Sequence, residues 1–190
     1  MDSLFDPNGA RLYMNAAERE AFIKAASKAP REIRSFCEVL HYSGCRISEG
    51  LALTSKHIDI DNKSLIFETL KRRKDGVFRA VPIPERLIDT LDLVHGIREQ
   101  KIRRNTPLWP YSRTTAWRHV KAIMANAGLT DGAQFSPKGL RHGYGVHAIS
   151  KNVPLNMLSK WMGHAKIETT AIYANALGEE QHQIAQRMWD

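Results

Sequence analysis

The chain has 190 residues, room for one domain with a real core or for two very small ones. Hydrophobic residues make up 43% and charged residues 25%, and 28 Lys and Arg against 20 Asp and Glu leave a formal net charge of +8, a balance that points to a polyanion, either nucleic acid or an anionic membrane surface. No apolar run approaches the roughly 18 residues of a membrane span, the opening residues lack the pattern of a signal peptide and Trp189-Asp190 is no lipidation signal. Two cysteines, Cys37 and Cys45, are too few for a disulfide scaffold, so the expectation is a cytoplasmic protein with buried free thiols.

Asn15-Ala16-Ala17-Glu18 reads as a capping box that opens a helix running to about residue 28, before Pro30. A second helix starts near Arg31; Ile33, Phe36, Cys37, Leu40 and Tyr42 follow its spacing, and Gly44 can stop it. A short helix is predicted over 47–53. The pattern then alternates at 57–60, turns at Asp61-Asn62, runs through Leu65, Ile66 and Phe67 over 64–69, and alternates again over 78–83, with the basic turn Lys71-Arg72-Arg73-Lys74-Asp75-Gly76 between the last two. Pro82 and Pro84 end this sheet. Helices are then predicted over 85–103, 113–127, 138–151 and 154–163, and a shorter one over 167–176; a last amphipathic segment covers 179–189. The fold class is α+β, mainly helical, with a small three-stranded antiparallel sheet inserted early. The division is an N-terminal extension over 1–14, a main domain over 15–177 and a C-terminal helix over 178–190.

Cations and glycine-marked turns recur together. Arg46 follows the helix stop at Gly44, and Glu49, three residues on, can reach back to it. Lys138 and Arg141 stand three apart at a helix start, which puts them on one face. His164 follows Gly163 on a helix-ending turn, and Tyr173 lies on the next short helix. Guanidinium groups suit a phosphate because they donate to two oxygens at once. A tyrosine beside them can serve as a hydroxyl nucleophile.

The order of these motifs resembles the tyrosine recombinase (phage integrase) family over about residues 15–189. HYSGCRISEGLALT (41–54) looks like its first arginine motif, with Arg46 as the catalytic arginine. KDGVFRAVPIP (74–84) looks like its β-hairpin; Lys74 stands eight residues before Pro82, the family's distance, which favours Lys74 over Lys71 as the catalytic lysine. PKGLRHGYGVHAIS (137–150) looks like the second arginine motif, and MGHAKIETTAIYANA (162–176) like the His…Tyr segment, with Tyr173 nine residues after His164. One position departs from the usual pattern: the second motif generally reads His-x-x-Arg, and here Lys138 stands first.

The resemblance implies the tyrosine recombinase catalytic-domain fold and cleavage and rejoining of double-stranded DNA through a 3′-phosphotyrosyl bond, with no metal or cofactor. Tyr173 would be the nucleophile, Arg46 and Arg141 would bind the non-bridging oxygens, His164 would donate a further hydrogen bond, and Lys74 would protonate the leaving 5′-oxygen. Lys138 would be a further phosphate ligand or the base. Glu49 and His142 are expected to hold the arginines and the loop. Tyr173 is expected to be partly exposed, from Thr170 and Asn175 around it. Lys71, Arg72, Arg73, Arg113, Arg118 and Lys121 are candidate DNA contacts. The family usually carries an N-terminal core-binding domain, for which this length leaves no room; the expectation is that it is absent or supplied separately. Self-association on DNA, through the C-terminal helix, would then complete the grip. Two other readings stay open: a regulatory DNA-binding protein with weakened catalysis, and a relaxing enzyme of the type IB topoisomerase kind.

Overall fold

The computed structural model describes residues 3–68, 76–99 and 105–175, together with 182, 185, 186, 188 and 189. The basic turn residues Lys71, Arg72, Arg73 and Lys74, and most of the C-terminal segment, lie outside the described residues.

Local signals set the helix ends. α1 (Ala16–Ala26) opens on the expected capping box: the Asn15 side chain accepts from the Glu18 N–H at 2.8 Å, and the Glu18 carboxylate accepts from the Asn15 N–H at 2.7 Å. α2 (Arg31–Ser43) ends at Gly44, which takes the left-handed conformation at φ 60°. There the position has two reasons to be glycine, because a Cβ would also lie 2.3 Å from the Tyr144 ring. α3 (Ile47–Leu51) follows at once.

The sheet has the expected three antiparallel strands, β1 (Ile58–Asp59), β2 (Ser64–Glu68) and β3 (Phe78–Pro82), in that spatial order. Leu65 pairs with Val81 and Phe67 with Arg79. The face that β3 turns inward is Arg79 and Val81, while Phe78 is 54% exposed. A buried arginine therefore occupies a strand position whose neighbours along the chain are apolar.

α4 (Glu85–His95) is shorter than the predicted 85–103. Gly96 closes it at φ 60°, and the Asp92 carboxylate then accepts from the Arg98 N–H and guanidinium, which ties the chain beyond the helix back onto its last turn. α5 (Arg113–Asn126) and α6 (Pro137–Ser150) start on serine caps, Ser112 and Ser136, with Pro137 in the first turn of α6. α7 (Leu155–Met162) stops at Gly163, φ 66°. The predicted helix over 167–176 is two pieces, α8 (Glu168–Ala171) and a 3-10 turn, Ile172–Asn175, that carries Tyr173.

The main core joins α2, β2, β3, α4, α5 and the start of α6, through Phe36, Phe67, Val81, Leu87, Val120 and Leu140, with Trp109 buried in it and donating to Ser35 Oγ at 3.0 Å. A smaller cluster gathers Val146 of α6, Leu158 and Met162 of α7, and Tyr173; Leu4 and Tyr13 of the N-terminal segment are buried in it. Cys37 and Cys45 are buried free thiols, each pushed up to about 12 by burial, which makes both unreactive. Among the described residues no helix is long and apolar enough to cross a membrane.

Candidate active site

α3, α5, α6, the turn after α7, α8 and the 3-10 turn meet at a cavity of about 360 Å³, and Arg46, Lys138, Arg141, His142, His164 and Tyr173 all line it. The described catalytic candidates and His142 are thus brought together from positions up to 127 residues apart (46 to 173).

Arg46 caps α3, and Glu49 in the first turn grips it twice. One carboxylate oxygen accepts from the Arg46 backbone N–H at 2.8 Å, the other from its guanidinium at 3.0 Å. The Glu49 side chain is 2% exposed and that of Arg46 33% exposed, so the carboxylate sits beneath the cavity and the guanidinium reaches into it. Burial works against ionisation of Glu49, but the charge of Arg79, the Arg46 N–H and Arg141 outweigh it and hold the carboxyl below its ordinary range.

Arg141 is buried on α6 and spans two elements. It donates to the Gly44 carbonyl at 2.7 Å, at the end of α2, and to the Met162 carbonyl at 2.7 Å, at the end of α7. Burial, then the nearby Arg46 charge, push its guanidinium down to about 10, which leaves it protonated at neutral pH. Its Nη2 also lies 3.2 Å from His164 Nε2. A guanidinium only donates, so Nε2 accepts there, and Nδ1 carries the proton that goes to Thr170 Oγ1 at 2.8 Å. The resemblance implies His164 as a donor toward a phosphate; in this arrangement its Nε2 is an acceptor for Arg141.

Tyr173 departs from the expected partial exposure: it is 1% exposed. Its ring packs on α6 at Gly145, where a Cβ would stand 2.6 Å from the ring, and lies nearly parallel to the His164 ring at 6.3 Å. Its hydroxyl is 3.2 Å from Nδ1 of the buried His142. The 3-10 turn is what folds the side chain inward, a feature of tertiary packing that residue types around position 173 do not encode.

Lys138 is exposed on the cavity wall at the start of α6. Arg113 borders the same cavity from α5, beside Trp117, which is 45% exposed. Arg118 is exposed farther along α5. Lys121 is half-buried and donates to the Phe135 carbonyl at 2.6 Å, fastening the loop before α6 onto α5. Lys71, Arg72, Arg73 and Lys74 fall outside the described residues. Two residues outside the sequence-derived site candidates complete the arrangement: Thr170, which orients His164, and Arg79, which pairs with Glu49 at 2.9 Å. The available signal for Arg79 was a lone cation in phase with Val81 on a strand.

The family model of the phage integrase family matches residues 12–180. The chain belongs to this family. Its relatives include a tyrosine recombinase XerD of Mycobacterium tuberculosis, 32% identical over 151 residues that cover 74% of this chain and 46% of the relative. A tyrosine recombinase XerD of Brucella suis is 28% identical over 178 residues, covering 89% of this chain and 54% of the relative. The chain thus spans about half the length of the curated relatives it matches. Among solved structures, XerA recombinase superposes with a TM-score of 0.79 at 21% identity, over 94% of this chain and 65% of that one. The catalytic domain of bacteriophage HP1 integrase superposes with a TM-score of 0.62 at 18% identity, over 91% of this chain and 93% of that one. The fold is that of tyrosine recombinase catalytic domains, mainly helical with a small antiparallel sheet.

Proposed function

We propose that the chain carries the catalytic domain of a site-specific DNA recombinase that cleaves and rejoins strands through Tyr173. The observation that carries this reading is the convergence of Arg46, Lys138, Arg141, His164 and Tyr173 on one cavity over a buried carboxylate. Three of those side chains are cations, a charge that matches a backbone phosphate and the extra negative charge of its pentacoordinate transition state. Related solved structures include XerH recombinase bound to its difH DNA substrate in a pre-cleavage complex, with a TM-score of 0.70 at 20% identity over 98% of this chain and 60% of that one, which supports double-stranded DNA as the partner here.

In this reading Tyr173 Oη attacks the phosphorus in line. The bond to the 5′-oxygen breaks, a 3′-phosphotyrosyl bond forms, and Lys74 delivers a proton to the departing oxygen. Arg46 and Arg141 hold the non-bridging oxygens, Lys138 adds a third cation, and Arg113 bears on the flanking backbone. In this reading His164 takes up a proton from solvent on Nε2, keeps its Nδ1–H on Thr170, and turns Nε2–H from the arginine to the phosphate. The 3.2 Å contact with Tyr173 supports His142 as the group that orients the phenol and receives its proton. The phosphodiester energy stays in the covalent bond, so attack by a second 5′-hydroxyl reverses the step on another strand. A C-terminal helix exchanged between subunits would bring several such chains together on DNA.

The test is a nicked suicide duplex bearing the sequence that the wild-type protein selects from a random library. Wild type should form a denaturation-resistant protein–DNA adduct, and Tyr173→Phe should bind the duplex and form none. Binding without an adduct in wild type refutes the enzyme reading in favour of a regulatory DNA-binding protein.

A further inference from the structure

We propose that Arg79 is a positioning residue for phosphoryl transfer, a pin that sets Arg46 and the Gly163-His164 turn at matched distances from the same phosphate. This rests on the recombinase reading above.

Arg79 does not line the cavity; it lies one layer behind it on β3, 5% exposed. Its Nη2 donates at 2.9 Å to Oε2 of Glu49, the same oxygen that accepts from the Arg46 N–H at 2.8 Å. Its Nε donates at 2.8 Å to the carbonyl of Trp161. The next carbonyl, of Met162, is the one that Arg141 takes at 2.7 Å. The two arginines therefore hold consecutive carbonyls at the end of α7, and His164 begins two residues later. Gly163 lies directly on the Arg79 guanidinium, since a Cβ there would be 2.9 Å from its Cζ. Phe67 supports the other side, with the guanidinium 5.0 Å from its ring centre.

An ordinary core would not choose this residue. The position pairs with Phe67 and is in phase with Val81, where an aliphatic side chain packs without a charge to desolvate. What an aliphatic side chain lacks is the planar fork that donates to a carboxylate and a carbonyl in fixed directions. Glu49 belongs to α3 and the Trp161 carbonyl to α7, and the Arg79 guanidinium bonds to both. A shift of about 1 Å in groups that grip a reacting phosphate costs on the order of a hundredfold in rate, so a rigid link between the two flanks bears directly on chemistry.

The test compares wild type, Arg79→Lys and Arg79→Met on the selected suicide duplex, with either a phosphate or a methylphosphonate at the scissile position. Methylphosphonate lacks one charged oxygen and so depends less on the aligned cations. Arg79→Lys retains the charge beside Glu49 and serves as the folded variant if Arg79→Met fails to fold. Both variants, where folded, should bind the duplex within about twofold of wild type and cleave the phosphate about 10- to 100-fold more slowly. On methylphosphonate the deficit should shrink to about threefold or less. Wild-type cleavage by Arg79→Lys, or equal slowing on both substrates, overturns the inference in favour of a merely structural ion pair. A wild-type protein that forms no adduct overturns the recombinase reading and the inference with it, and the wild-type lane tells the two failures apart.

Discussion

Glu49→Gln tests the charge balance beneath the cavity. The carboxylate accepts hydrogen bonds from the Arg46 N–H, the Arg46 guanidinium and the Arg79 guanidinium at 2.8 to 3.0 Å, and Arg141 Nη1 stands 4.0 Å away. Glutamine has the same shape but one acceptor fewer, and its amide N–H₂ must face a guanidinium donor. The substitution also leaves Arg79, whose side chain is 4% exposed, without its counter-charge. Removing one member of a buried pair costs about 3–5 kcal/mol; the retained acceptor argues for the lower end, about 3 kcal/mol. For a chain of this size, about 2–4 °C of Tm is lost per kcal/mol, so the expected drop is about 6–12 °C at pH 7. The pH dependence has a definite sign. The folded carboxyl lies below its ordinary range, so its stabilisation is fully present above the unfolded value of about 4.5 and is lost as pH falls through the folded value. The gap between wild type and Glu49→Gln should hold from neutral pH down to about 4.5 and close only in stronger acid. Thermal unfolding followed by circular dichroism across that range measures it. A Tm within 1 °C of wild type at pH 7, or a gap that closes already at pH 6, would refute the account of Glu49 as the ionised centre of the cluster.

Thr170 is fully buried with its hydroxyl on His164 Nδ1, so Thr170→Val should slow adduct formation about tenfold by leaving that N–H without an acceptor. Thr170→Ser should stay near the wild-type rate, and equal rates in single-turnover cleavage for all three proteins would remove Thr170 from the site. His41 gives a second pH effect. Burial, reinforced by the charge of Arg19, pushes it down to about 2, so the fold holds it neutral while the unfolded chain protonates near 6.5. Stability is therefore whole above that value and declines below it, by up to about 1.4 kcal/mol per pH unit from this group. His41→Phe should reduce the slope of stability against pH between 6 and 4 by close to one proton, as read from urea unfolding at each pH; an unchanged slope would refute it.

Local chemistry was enough for much of this protein. The Asn15-Glu18 box, the serine caps Ser112 and Ser136, and the left-handed stops at Gly44 and Gly163 act within one turn of chain, so helix starts and ends could be read from neighbouring residues. The motif order and the spacing of His164 and Tyr173 were likewise sequence properties, and they sufficed for the family and its fold. α4 ends at His95 rather than near residue 103 because the left-handed Gly96 caps it within a residue pattern that is otherwise helical. Tertiary structure alone decided the rest. Tyr173 is buried because a 3-10 turn lays its ring on the bare backbone of Gly145, 28 residues away (173 − 145). Arg79 is inside because its charge is neutralised by Glu49, 30 residues away, and its N–H by a carbonyl of α7, 82 residues away. A cation on a strand reads as a solvent-facing residue until its partners are known. The partners lie on other elements, and only packing brings them within hydrogen-bond distance.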